Sequence, residues 1–122
     1  MSQPGDPIEG DVLVRVAATA SVPPQRLVPL IDRVQETLDE ECESLRRRYE
    51  TAYEDDEEGT IGLFVDEEFW NRVGDRLGLT DRERDAVERA HNQQLRAVGK
   101  RHDRLDEFET ALEIRDCVVL ES

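Results

Sequence analysis

The sequence has few of the residues that usually carry chemistry: one lysine, two histidines and two cysteines among 122 residues. Cys42 and Cys117 are far apart and form no Cys-x-x-Cys motif, so they indicate neither a zinc site nor a redox pair. Two cysteines permit one disulfide bond, but an intracellular chain more often keeps them reduced. We therefore expect free, partly buried thiols.

Long apolar runs and a secretory signal are also missing. No run approaches the roughly 18 residues that a membrane-spanning helix needs. The start, MSQPGDPIEGD, has no basic region followed by an apolar one. We expect a cytoplasmic location without membrane association. The chain has only six aromatic residues, so Leu, Val, Ile and Ala must supply most of its core.

Acidic residues are what the sequence has in excess. Thirty Asp and Glu oppose fifteen Arg and one Lys, which gives a formal net charge of −14. Arg loses its hydration more readily than Lys and pairs with carboxylates through a planar fork. Such a charge repels nucleic acid at ordinary ionic strength, but in molar salt the Debye length falls to about 3 Å. The acidity therefore does not exclude a nucleic-acid partner.

This acidic, lysine-poor and arginine-rich composition resembles that of haloarchaeal proteins. The resemblance covers the whole chain and involves no motif. It implies a small acidic protein in a salt-filled cytoplasm. It identifies no functional family and implies no activity.

Apolar spacing predicts a single helical domain, residues 11–122, after a flexible tail, residues 1–10. Residues 11–20 alternate valines like a strand, but their alanine-rich end favours a short helix. Apolar residues then recur at steps of three and four in two long stretches, which predicts two long helices. The first stretch contains Leu27, Ile31, Val34, Leu38, Cys42, Leu45, Tyr49 and Ala52. The second contains Val87, His91, Leu95, Val98, His102, Leu105, Phe108 and Leu112.

Capping signals predict a shorter helix between the two long ones. Asp66 is the expected N-cap, and Gly78 follows the expected end at Leu77. Thr80 and Glu83 match a capping box that opens the second long helix. Residues 60–65 and 116–120 are apolar and β-branched, so we expect them to pair. The predicted fold is mainly α: a long antiparallel helical hairpin, a short capping helix and a minor two-stranded β patch.

The second long helix carries a basic stripe at helical spacing: Arg82, Arg89, Arg96, Lys100 and Arg104. The first long helix carries an acidic series at similar spacing: Glu36, Glu40, Glu43 and Glu50. One interpretation is that the two stripes flank the apolar contact and select its pairing. The other is that the basic stripe follows a phosphate backbone, although no known nucleic-acid-binding motif accompanies it.

The sequence gives only weak support for a metal site. Glu88 and His91 form a Glu-x-x-His pair, but di-iron bundles use two such pairs. Cys42 could join them in a mononuclear site, although nothing in the sequence fixes it. His102 lies three helical turns from His91, about 16 Å away, too far to share a metal. We expect no metal and no cofactor, and we interpret both histidines as half-buried helix residues.

Phe69 and Trp70 lie together on the predicted capping helix. They fit a lid over the core, or alternatively an interface anchor, because Trp is enriched at binding hot spots. No nucleophile motif or phosphate-binding glycine loop is present, so we expect no enzyme activity. The sequence favours a non-catalytic interaction or assembly module that forms a homodimer or binds another protein. A small nucleic-acid-associated regulator is the alternative, and a metal-binding or enzymatic helical protein is the third.

Overall fold

The computed structural model describes residues 3–121, in which six helices alternate irregularly with one three-stranded antiparallel sheet. The helices are α1 (Gly10–Ala20), α2 (Pro24–Asp39), α3 (Cys42–Arg48), α4 (Phe69–Leu77), α5 (Asp81–Arg101) and α6 (Leu105–Leu112). The strands are β1 (Glu50–Asp55), β2 (Thr60–Val65) and β3 (Asp116–Glu121), in the spatial order β1-β2-β3. The predicted mainly α hairpin is therefore wrong.

The first predicted long helix is divided into two helices and a strand. α2 ends at Asp39, Glu41 leaves the helical region with φ −104° and ψ 3°, and α3 covers only Cys42–Arg48. Tyr49 is extended and leads into β1. Steps of three and four describe any amphipathic helix, so they did not reveal the break, and Tyr and Thr at 49–53 favour a strand.

The second predicted long helix also breaks. α5 ends at Arg101, and Asp103 takes the left-handed conformation with φ 55°, which Asp tolerates better than most residues. α6 then folds back onto α5. Gly99 permits this close approach, because a Cβ there would lie 2.8 Å from the Phe108 ring. Two helices thus replace the single one that we expected.

Several local predictions are confirmed. The helix at residues 11–20 is α1, and α2 begins at Pro24. The pairing of residues 60–65 with 116–120 is the β2–β3 ladder, with Leu63 opposite Val118. What the sequence did not reveal is β1, which pairs with β2 on the other side and carries a bulge between Thr51 and Tyr53.

The capping signals are mostly correct. Thr80 and Glu83 form the predicted capping box of α5, with hydrogen bonds of 2.9 and 3.1 Å. Gly78 ends α4 with φ 67°. The predicted N-cap is wrong by two residues, because α4 begins at Phe69 with Glu68 at its N-cap. Asp66 instead accepts a hydrogen bond from the Glu68 N–H at 3.0 Å.

Helix α5 lies at the centre of the fold. It packs against α1, α6 and β3, and more lightly against α2 and α4. β2 is the middle strand, and its residues Ile61–Val65 are all buried. Within the described part of the chain, no helix is both long enough and apolar enough to cross a membrane.

Residues 3–9, which we expected to belong to a tail, form turns that bring Ile8 into the core. The side chain of Gln94 on α5 holds this segment through two hydrogen bonds. It accepts from the Glu9 N–H at 2.9 Å and donates to Glu9 Oε2 at 2.8 Å. Met1 and Ser2, the first residues of the expected tail, lie outside the described residues.

Candidate functional site

The basic stripe lies largely on the solvent side of α5. Arg82, Arg89 and Lys100 are exposed and Arg96 is partly exposed. Arg104 does not belong to this helix: it precedes α6, bonds Glu107 at 2.6 Å and lies over the Phe108 ring. We call the four residues of α5 the basic face.

Most of the basic residues that form no ion pair within the described chain lie on the basic face. Nine arginines form ion pairs among the described residues: Arg15, Arg26, Arg46, Arg72, Arg76, Arg84, Arg101, Arg104 and Arg115. Over residues 3–121, no ion pair includes Arg82, Arg89, Arg96 or Lys100. Arg89 makes only a long hydrogen bond, 3.5 Å, to the Thr19 carbonyl. Four cations on one helix face therefore have no acidic partner among the described residues.

The predicted acidic partner stripe does not meet the basic face. Glu36, Glu40 and Glu43 are exposed, and none of them forms an ion pair within the described range. Glu50 pairs with Arg115 at 3.2 Å instead. The interpretation that the two stripes select a helix pairing is therefore wrong, because the helical hairpin that would have joined them does not form.

Three acidic side chains of α2 line a cavity of about 350 Å³ together with the N-terminal turn. We call it the acidic pocket, and its residues used below are Asp6, Asp32, Gln35, Glu36 and Asp39. Asp32 is partly fixed, because its Oδ1 accepts a hydrogen bond from the Gly5 N–H at 2.7 Å. Gln35 is only 9% exposed, yet neither its amide oxygen nor its amide nitrogen has a hydrogen-bond partner.

Phe69 and Trp70 are buried, as the core-lid interpretation expects. Trp70 is 1% exposed and packs edge-on against Phe69 at 5.2 Å. Its Nε1 donates to the Cys117 carbonyl at 3.1 Å. Both rings are inside this chain, so they are not available as surface anchors.

His91 is also fully buried and bonds the same strand. Its Nδ1 accepts from the Val119 N–H at 2.9 Å, and its ring lies 4.7 Å from the Trp70 ring. Burial lowers the pKa of His91 to about 3, so the imidazole is neutral at physiological pH. Cys117 and Val119 are two residues apart and thus present their backbone groups on one edge. Trp70 and His91 together close the outer edge of β3.

Glu88 faces Asp116 rather than His91. The two carboxyl groups are hydrogen-bonded to each other, and burial together with the Asp116 charge raises the pKa of Glu88 to about 7. Burial also raises the pKa of Asp116. Across residues 3–121, no three His, Cys, Asp or Glu side chains are grouped so that they could hold a metal ion.

The cysteines are free thiols. Cys117 is buried, and its Sγ contacts the His91 carbonyl at 3.3 Å. Burial raises the pKa of Cys117 well above its usual range and also raises that of Cys42. Both groups therefore stay protonated at neutral pH, which makes them poor nucleophiles.

A larger cavity, of about 550 Å³, lies between the N-terminal turn, the β1–β2 hairpin and the end of α5. Glu9 and Arg101 form a two-pronged ion pair on its wall, with N–O distances of 2.9 and 2.7 Å. Tyr53 and His102 complete that wall. Burial raises the pKa of Tyr53 to about 12, so its hydroxyl stays protonated.

Sequence reasoning missed Gln35 and Gln94. A signal was present in both cases, since each is a polar residue on the buried side of an amphipathic helix: Gln35 is four after Ile31, and Gln94 is three after His91. The basic face was predictable from spacing. That the N-terminal turn adds Asp6 to the acidic residues of α2 around Gln35 was not, because Asp6 comes from a distant segment.

No curated protein and no solved structure matched the chain. A family model described as a domain of unknown function, DUF8048, matches residues 6–122. Since that match spans almost the whole chain, the protein belongs to the DUF8048 family.

Proposed function

We propose that this protein is a non-catalytic interaction module that associates with itself through the basic face of α5. The observation that carries the proposal is the set of four cations that no carboxylate of the described chain neutralises. Arg is enriched at protein interfaces, because its planar fork binds carboxylates through two parallel hydrogen bonds. A chain with a net charge of −14 offers many carboxylates to a second copy.

The setting that we propose is a salt-rich cytoplasm, which the acidic, lysine-poor composition supports. In molar salt, long-range repulsion between two acidic copies is screened. Close, hydrogen-bonded Arg–carboxylate contacts depend less on long-range fields. Far-UV circular dichroism that is identical in about 0.1 M and about 3 M KCl would contradict this adaptation.

A nucleic-acid partner is the second candidate, because a row of bases also suits phosphates. Two considerations favour a protein partner. Phosphate binding weakens steeply as salt rises, since it is driven by counterion release. Binding of single-stranded nucleic acid usually uses exposed aromatic side chains for stacking. Here Tyr49 alone among the six aromatic residues is partly exposed, and the other five are buried. Metal-dependent or enzymatic function is the third candidate, and Glu88 and His91 supply no shared site for it.

Light scattering in about 2–3 M KCl tests the proposal. The wild-type chain should scatter as a dimer or larger species. The variant Arg89→Glu/Lys100→Glu should be a monomer, because reversing two exposed cations turns attraction into repulsion. Unchanged circular dichroism confirms that it folds.

The matched control is Arg47→Glu/Arg48→Glu. It brings the net charge to the same −18 (−14 − 4) and changes two exposed arginines outside the basic face. It should associate like the wild type. A wild-type chain that is a strict monomer and co-purifies with no protein contradicts the proposal. Nucleic acid retained by the wild type and lost in Arg89→Glu/Lys100→Glu would establish the second candidate instead.

A further inference from the structure

The acidic pocket contains an unusual buried group. Gln35 is 9% exposed, and both polar atoms of its amide lack a partner among the described residues. An unsatisfied buried polar atom costs on the order of 1–3 kcal/mol. Gln35 lines a cavity of about 350 Å³, so a partner for its buried amide can come from outside the chain when the side chain turns toward the cavity.

The carboxylates around Gln35 define the charge of that partner. Asp6, Asp32, Glu36 and Asp39 line the same cavity, and none of them forms an ion pair within residues 3–121. A cationic partner therefore complements this pocket. A metal ion is a poor fit, because no three carboxylates in the described chain are close enough to hold one.

A guanidinium group on a polypeptide fits better. Its five N–H donors can bond several carboxylates and the Gln35 amide oxygen together. The peptide carbonyl of the same segment can accept from the Gln35 amide nitrogen. An arginine in a chain thus satisfies both atoms of Gln35, which a bare cation does not.

The spacing of charges points to the source of that arginine. Asp32, Glu36 and Asp39 follow steps of four and three, so they share one side of α2. Asp32 and Asp39 are seven residues apart, about 10.5 Å along the helix. Arg82, Arg89 and Arg96 also repeat every seven residues on α5. A basic face and an acidic pocket with the same axial repeat can meet at more than one charge.

We propose that the acidic pocket of one copy of this protein binds an arginine of the basic face of a second copy. This inference rests on the proposed self-association and names the surface that receives the basic face. The contact joins two different surfaces, so it is heterologous. Such contacts give rings or filaments, or a dimer if both surfaces of each copy engage together.

Reversing the pocket tests the inference. Glu36→Arg/Asp39→Arg should weaken self-association about tenfold or more, because charged pairs across an interface become repulsive. The control is Glu40→Arg/Glu43→Arg, which makes the same change of charge at exposed residues of α2 and α3 outside the pocket. It should associate like the wild type.

Gln35→Met separates association from folding. Met has nearly the same shape but no amide, so removing two unsatisfied atoms should leave the folded chain equally stable or more stable. Association should nevertheless weaken severalfold, since the bound arginine loses an acceptor. A thermal unfolding scan and light scattering on the same sample distinguish the two effects. Association that is unaffected in Gln35→Met and in Glu36→Arg/Asp39→Arg overturns the inference.

Mixing two monomeric variants gives the sharpest test. Arg89→Glu/Lys100→Glu keeps an intact pocket, and Glu36→Arg/Asp39→Arg keeps an intact basic face. The mixture should therefore form mixed complexes that neither variant forms alone, detected by native mass spectrometry. If the mixture stays monomeric, the pocket does not receive the basic face. If the wild type and the pocket variant associate and only the basic-face variant stays monomeric, the proposed self-association is supported. The inference that the acidic pocket receives the basic face is then contradicted. A monomeric wild type contradicts both.

Discussion

Strands β3 and β1 are the two edges of one sheet, but buried side chains close the first and charged side chains protect the second. Trp70 and His91 bond the outer backbone of β3 and stack on each other inside the protein. β1 instead carries Glu50, Glu54 and Asp55, and a bulge interrupts its ladder. Both arrangements prevent pairing with another chain.

The two edges differ in how much a single residue contributes to the stability of the fold. At β3, every closing hydrogen bond is buried, so losing one leaves a desolvated backbone group without a partner. At β1, water replaces a lost side chain. Stability should therefore depend strongly on a few residues near β3 and weakly on any single residue along β1. Three predictions test this difference, from the largest expected effect to the smallest.

Trp70→Ala should lower the free energy of unfolding by about 3–5 kcal/mol, because it opens a cavity and leaves the Cys117 carbonyl unbonded. Urea unfolding in a fixed salt concentration measures the change. Trp70→Phe keeps most of the volume and removes only the N–H donor, so it should cost about 1–3 kcal/mol. A loss below about 1 kcal/mol for Trp70→Ala would show that the β3 edge is no more sensitive to a single substitution than β1 is.

The second prediction concerns pH, where buried His91 and half-buried Glu88, both next to β3, act in opposite directions. The pKa of His91 is lowered from 6.5 to about 3, so the stability it contributes is present above pH 6.5 and is lost as pH falls. The pKa of Glu88 is raised from 4.5 to about 7, so its contribution is present below pH 4.5 and is lost as pH rises. The two slopes oppose each other between pH 4.5 and 6.5.

Removing one of the two groups should therefore leave the pH dependence of stability that the other one causes. In that window, Glu88→Gln should make stability rise more steeply with pH, by at most about 1.4 kcal/mol per pH unit. His91→Gln should shift the slope the other way. The effect of Glu88 is the smaller of the two, since it is partly exposed and solvent screens its charge. Urea unfolding at several pH values measures the slopes, and parallel profiles for all three proteins would contradict both assignments.

Glu54→Ala, on β1, should change the free energy of unfolding by less than about 0.5 kcal/mol. Its ion pair with Arg46, at 3.3 Å, joins side chains that are 40% and 43% exposed, and such pairs contribute little. The same urea experiment measures it. A loss above about 1 kcal/mol would show that the charged side chains of β1 stabilise the fold and do not only prevent pairing with another chain.

Local features of the fold were predictable because their causes are local. Thr80 and Glu83 cap α5 through side chains three residues apart, and Gly78 ends α4 by adopting a conformation that few residues tolerate. The helix breaks at Glu41 and Asp103 were missed. An apolar spacing of three and four persists across a break when both pieces pack on the same core.

Of the two candidate surfaces, one was also predictable from local sequence and the other was not. The basic face was predictable, since all four residues lie on one helix. The acidic series that one interpretation paired with it does not meet it, and the acidic pocket was not foreseen. Asp6 joins Asp32 and Gln35 only when the N-terminal turn folds against α2.

By itself, the sequence determined the charge excess, the helix caps at Gly78 and Thr80 and the face of α5 on which the bases lie, because these depend on composition or on residues a few positions apart. Only the tertiary structure decided that the two long apolar stretches divide into four helices and a strand, that His91 and Trp70 close a strand edge, and that Gln35 lies without a partner among carboxylates. These outcomes depend on which distant segments bury each other, and hydrogen bonds between such segments leave no local pattern.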